Sequence, residues 1–200
     1  MGHGPDAARL AVKMVLLLEA HAEGKLPVAE NVARLNQALV NLVSGSKAVR
    51  RGPLFTTGLY LRVDPALQSL TICSFGHVGP IFSESGCIEP KLDLPVGILA
   101  NEAAGPWTKL VVRFEDHGRR FIIFTDGLTE QFDLAGEMYG EARLEQVFRR
   151  DLRLPLQQLV DGIRAGVDAF RGGALIKDDQ ALLAIEVIDR RPCCEQVTEG

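Results

Sequence analysis

Four consecutive apolar residues, Phe121-Ile122-Ile123-Phe124, end abruptly in Thr125-Asp126-Gly127. A short unbroken run of this kind reads as a strand buried on both faces. Asp126 is thrown out at the strand's exit, and Gly127 permits the sharp turn that follows. A carboxylate at the mouth of a buried strand is costly unless something positive sits beside it. Hard oxygen donors suit Mg²⁺ or Mn²⁺, so a divalent cation is a natural candidate. Taken alone, Thr-Asp-Gly is equally an exposed turn.

The chain has 200 residues, enough for one generous domain with a sizeable core. Hydrophobic residues make up 46% and charged residues 24%, an ordinary globular mixture. A net charge of −4, with no basic stripe interleaved with aromatics, argues against nucleic acid as a partner. The longest apolar run, Met14-Val15-Leu16-Leu17-Leu18, is too short to span a bilayer, and no signal-peptide pattern opens the chain. The four cysteines (Cys73, Cys87, Cys193, Cys194) form no Cys-x-x-Cys, and the last two are adjacent. A disulfide framework is not expected, and a reduced cytoplasmic location is.

Along the chain, Pro5 and Asp6 start a helix expected to run to about Glu23 and to be largely buried, since it is apolar over most of its circumference. After Pro27, Val28, Val32, Leu35, Leu39 and Leu42 recur at helical steps and define one core-facing stripe. A polar, basic loop covers 44–53. The period then shifts to two: a strand over 55–63 turns at Asp64-Pro65 and returns over 70–75. Gly76 to Pro80 breaks this hairpin, and Ile81-Phe82 begins another short strand. Further strands are expected over 107–115, with Leu110, Val112 and Phe114 on one face, and over 182–188. Helices are expected over 142–150 and 155–171. The order of elements predicts a layered α+β domain over 1–190 with a short tail over 191–200.

A second acidic pair, Asp178-Asp179, precedes the closing strand. Adjacent acids repel unless a cation or basic group lies between them, although a turn or cap explains them equally well. If the strands after Asp178 and before Asp126 are antiparallel neighbours, the two carboxylates can meet and share a hard metal. The histidines are weaker candidates. His3, His21, His77 and His117 stand at no zinc-ligand spacing from a cysteine. No P-loop, dinucleotide fingerprint or Gly-x-Ser-x-Gly occurs.

Seven short motifs in register resemble a family: Gly-His-Gly-Pro-Asp-Ala-Ala at 2–8, Leu-Phe-Thr-Thr-Gly-Leu-Tyr at 54–60, Ser-Phe-Gly-His-Val-Gly-Pro at 74–80, Leu-Pro-Val-Gly-Ile at 94–98, Phe-Thr-Asp-Gly-Leu-Thr-Glu at 124–130, Met-Tyr-Gly at 138–140 with Leu144, and Lys-Asp-Asp at 177–179. Their order and spacing resemble the PPM (type 2C) metal-dependent serine/threonine phosphatases, in the branch similar to sporulation stage II protein E. The resemblance implies two antiparallel sheets packed as a sandwich with helices outside, and two Mn²⁺ or Mg²⁺ ions at one end. It implies a metal-activated water attacking the phosphorus of a phosphoserine or phosphothreonine. The substrate implied is a small regulatory phosphoprotein of the anti-sigma-factor antagonist type, acted on in the cytoplasm.

By motif match Asp126 and Asp178 are metal ligands, with Asp179 and Gly127 in supporting or turn positions. Gly2 and His3, like Gly76 and His77, fall in the family's tight turns. The family's Gly-His-Gly normally follows an Asp-Val-x segment that binds metal, and Met1 stands here in the x position. The N-terminal strands of the family are therefore expected to be missing, along with about half of its carboxylate ligands. That leaves two expectations: an active phosphatase whose coding sequence begins further upstream, or a catalytically incomplete phosphatase-like module that binds a regulatory partner. Sheet edges left uncovered would favour self-association.

Overall fold

A computed structural model describes residues 26–44, 55–91, 93–100 and 106–188, together with Val12, residues 14–16 and Glu19. Helix α1 (Val28–Ser44) starts where expected, with Glu30 and Asn31 donating their amides to the Pro27 carbonyl. Its stripe of Val28, Val32, Leu35 and Leu39 is buried. The Leu42 side chain lies outside the described residues. Strands β1 (Gly58–Asp64) and β2 (Ser69–Phe75) form an antiparallel hairpin. Asp64 shapes its turn by accepting the Ala66 and Leu67 amides at Oδ1, both at 3.0 Å.

The chain then crosses to a second sheet, with β3 (Ile81–Phe82) and β4 (Gly86–Cys87), and returns to the first as β5 (Lys109–Arg113). A single helical turn, α2 (Phe114–His117), leads into β6 (Arg120–Phe124), and α3 (Asp126–Thr129) follows directly. Two longer helices, α4 (Gly140–Arg150) and α5 (Leu156–Arg171), precede β7 (Leu182–Glu186). The sheets are ordered β1-β2-β5 and β4-β3-β6-β7, with every pair of named strands antiparallel.

The alternation along each strand distributes side chains between two cores on either side of each sheet. Leu70, Ile72, Val112, Phe82, Phe114 and Phe121 fill the space between the sheets. Ile122 and Phe124, on the opposite face of β6, join Leu144, Phe148, Leu159 and Ile163 beneath α4 and α5. On the far side, Cys73 and Phe75 of β2 meet the α1 stripe. The result is the predicted sandwich of two antiparallel sheets with helices outside, and β6 is covered on both faces.

Three details depart from the sequence reading. The strand expected over 107–115 ends at Arg113, because Phe114 turns inward to start α2 while staying buried. β4, only two residues long, is too short to show a period. Of the helix expected over 6–23 only five positions are described: Met14 is buried, whereas Val12, Val15 and Leu16 are exposed. At these positions burial is one-sided. The basic loop of 44–53, apart from Ser44, and the tail of 191–200 lie outside the described residues.

Asp151 ends α4 and takes two hydrogen bonds from Arg150, Nε to Oδ1 at 2.8 Å and Nη2 to Oδ2 at 2.6 Å. These bonds hold its carboxyl below the usual aspartate range. The folded state thus favours the charged form, and the resulting stability is present above the unfolded pKa and lost as the pH falls through the folded one. Asp151→Asn is expected to lower the thermal midpoint modestly at pH 7, with the difference closing in acid. Midpoints measured against pH check this; a gap that widens in acid contradicts it.

Candidate functional site

β6 and β7 pair antiparallel, with Phe124 opposite Leu182, so the exit of one strand lies beside the entrance of the other. Asp126 leaves β6 as the first residue of α3, and Asp178 and Asp179 sit just before β7. Thr125 joins the two segments. Its amide donates to the Ala181 carbonyl at 3.0 Å, and its hydroxyl accepts the Ala181 amide at 2.9 Å. The same hydroxyl donates to the Asp179 carbonyl at 3.0 Å, across 54 positions of chain.

Gly127 brings the two acidic segments into backbone contact. A Cβ at this residue would lie 2.5 Å from the Asp179 carbonyl oxygen and 3.4 Å from the Asp178 carbonyl carbon. Only a residue without a side chain admits that approach. Asp126 accepts the Gly127 amide at Oδ1 (3.0 Å), and Asp178 accepts the Asp179 amide at Oδ1 (2.8 Å). All three acidic residues are exposed at this end of the sandwich.

Two glutamines that carry no signal in the sequence complete the frame. Gln180 donates from Nε2 to the Gly127 carbonyl and to Gln131 Oε1, each at 3.0 Å. Buried Gln131 in turn donates to the carbonyls of Phe132 (2.7 Å) and Leu175 (3.2 Å). The Asp126 turn, the segment over 131–139 and the loop before Asp178 are therefore one hydrogen-bonded unit.

The donors gathered here are carboxylates with nearby main-chain carbonyls, a hard, oxygen-only set that suits Mg²⁺ or Mn²⁺. Among the described residues no group of three or more His, Cys, Asp or Glu that could hold a metal is found. Gly2 and His3 lie outside the described residues. Gly76 turns with φ +80°, and Ser74 fixes the turn by donating from Oγ to the His77 carbonyl (2.8 Å) and accepting the His77 amide (3.2 Å). His77 Nδ1 lies 2.8 Å from the Val78 carbonyl.

This turn borders an open cavity of about 440 Å³ lined also by Cys87, Glu89, Lys91 and Glu141. Burial, reinforced by Glu141, Glu89 and Glu145, pushes the Cys87 thiol up to about 11. Burial, with Asp93, pushes Cys73 up to about 12. Both cysteines are free, and neither is a ready thiolate.

Two face-to-face antiparallel sheets with outer helices define the fold of type 2C protein phosphatase domains. The chain matches the SiaA-PP2C domain of Pseudomonas aeruginosa with a TM-score of 0.75 at 18% identity, covering 94% of this chain and 72% of that one. It matches the PP2C phosphatase domain and regulatory-domain fragment of SpoIIE from Bacillus subtilis with a TM-score of 0.68 at 18% identity, covering 93% and 52%. RsbX in complex with magnesium gives a TM-score of 0.61 at 20% identity, covering 93% and 76%. The family model "Stage II sporulation protein E (SpoIIE)" matches residues 1–188, and the chain belongs to that family. No curated protein matches it. The resemblance read from the seven motifs is borne out, as is the sandwich it implied. No helix among the described residues is long and apolar enough to cross a membrane.

Proposed function

We propose that this PPM-type phosphatase domain is a metal-dependent protein serine/threonine phosphatase, with Asp126 and Asp178 holding Mn²⁺ or Mg²⁺. The observation that carries this reading is the β6–β7 pairing, which packs Gly127 against the Asp178–Asp179 backbone. Magnesium in RsbX and manganese presoaking of the SpoIIE phosphatase domain support a hard divalent ion. Such ions, when bound, acidify water and offset the charge of a phosphoryl group.

The work of this chain's own residues is to orient the acids. Thr125 and Gln180 clamp the loop before β7 onto the Asp126 turn, and Gly127 keeps the approach open. Asp179, whose carbonyl takes the Thr125 hydroxyl, supports the loop. The substrate is a phosphoserine or phosphothreonine on a small cytoplasmic regulatory protein, of the kind that controls sigma factors by partner switching.

The test is a manganese-titrated assay on p-nitrophenyl phosphate and on a phosphoserine peptide. Mn²⁺-dependent turnover is expected, reduced at least about tenfold in Asp126→Ala, since each ~1.4 kcal/mol of lost metal or transition-state binding is tenfold. No metal-dependent turnover, or an unaffected variant, refutes the proposal.

A second reading is a phosphatase-like module that binds a regulatory partner without a complete metal centre. It rests on the absence, among the described residues, of a group of three candidate ligands. Calorimetry resolving two Mn²⁺ sites on this chain eliminates it.

A further inference from the structure

Beside the Asp126–Asp178 end of the sandwich, the structure presents apolar side chains to solvent on a backbone that is tied down. Leu134 is 77% exposed and Leu175 82%, while Ile176, Met138 and Phe132 are exposed to smaller degrees. Phe132 and Met138 face one another across an antiparallel bridge, which puts their side chains on the same face.

Loose chain does not account for this exposure. Asp133 accepts the Ala135 and Glu137 amides at Oδ1 (2.9 and 2.8 Å), and Arg143 donates to the carbonyls of Met138 and Tyr139 (2.8 and 2.9 Å). Gln131 fastens the Leu175 carbonyl and is itself bound by Gln180. The same glutamine pair that frames the two acids therefore holds the apolar patch beside them. A fixed exposed patch of this kind marks an interaction site rather than ordinary scatter.

Charge decides what the patch accepts. Lys177 precedes Asp178 directly, and its ammonium lies 5.4 Å from the centroid of the Phe132 ring. One cation thus sits over an exposed aromatic ring and next in sequence to Asp178, and its charge suits an anionic group entering the candidate site.

Resting on the phosphatase reading, we infer that Phe132, Leu134, Met138, Leu175 and Ile176 dock the phosphoprotein substrate. They receive an aliphatic side chain flanking the phosphorylated residue, while Lys177 faces the phosphate. Specificity for a protein over a small phosphate ester then resides in loops 131–139 and 174–177, outside the metal ligands.

The experiment measures fluorescence anisotropy of labelled peptides carrying a non-hydrolysable difluoromethylene phosphonate mimic of phosphoserine, flanked by leucine or by serine. The unaltered chain is expected to bind the leucine-flanked peptide at least about tenfold more tightly, the scale set by burying one aliphatic side chain. Leu134→Ser combined with Leu175→Ser is expected to bring that preference close to unity, and both sites are exposed enough for the fold to tolerate the change. Equal affinities in the unaltered chain, or a preference that survives the double substitution, overturns the inference. So does sedimentation showing a dimer that the double variant dissociates, because a second copy would then occupy the patch.

Turnover of p-nitrophenyl phosphate by the unaltered chain separates the two claims. Leucine preference without turnover keeps the docking surface and rejects catalysis; turnover without leucine preference does the reverse.

Discussion

Gly127→Ala is expected to destabilise the chain by about 1–3 kcal/mol, the usual range for forcing a methyl into filled space. It is also expected to lower phosphatase turnover by about a hundredfold. The reason is local and steric. The added carbon would sit 2.5 Å from the Asp179 carbonyl oxygen, and main-chain atoms cannot swing aside as a side-chain tip can. Either α3 or the loop before β7 must move, and the two acids move apart with it.

That loop is held by the Thr125 hydroxyl and by Gln180, so the shift strains bonds on both sides of the site. A displacement of about 1 Å is enough to cost on the order of a hundredfold in rate. Chemical denaturation paired with Mn²⁺-dependent turnover measures both effects. An alanine variant as stable and as active as the parent would show that the close approach is dispensable.

Phe121→Ala is the largest expected stability effect, about 3–5 kcal/mol, from lost apolar burial plus the cavity left behind. Phe121 is 1% exposed and stacks on Phe82, with ring centroids 4.8 Å apart. It lies in the layer between the two sheets, where collapse around a hole would require both sheets to shift. Against a total stability of ~5–15 kcal/mol, the loss removes a large fraction and shifts the thermal midpoint by about 6–20 °C. Phe132→Ala is the matched control, since that ring is 36% exposed and its removal leaves the sandwich intact. Comparable midpoints for the two variants would show that the inter-sheet core does not carry the stability assigned to it.

Local chemistry made much of the architecture legible. The α1 stripe follows from residues three and four apart, the β1–β2 hairpin from alternation around Asp64-Pro65, and the end of α5 from Gly172, which adopts φ +55°. The unbroken apolar run of β6 required cover on both faces, and it has it. Asp126 and Asp178 were also visible, because an acid at a strand's end stands out against its apolar neighbours.

Other features could not be read from spacing. β4 is too short to carry a period, and Phe114 belongs equally to a strand face and to a buried helical turn. Gln131 and Gln180 are unremarkable polar residues until folding buries one of them and points the other at it.

By itself, then, the sequence determined the longer elements α1, β1, β2, β6, α4 and α5, and the residues able to offer hard oxygen ligands, since these depend on side chains a few positions apart. Tertiary structure alone decided that β6 and β7 are neighbours and that Gly127 touches Asp179. It also decided that Gln180 and Gln131 tie the Asp126 turn to the segment carrying exposed Leu175. Those outcomes depend on which strands pair across long stretches of chain, and that choice is made by burying two sheets and two helical layers at once rather than by any local preference.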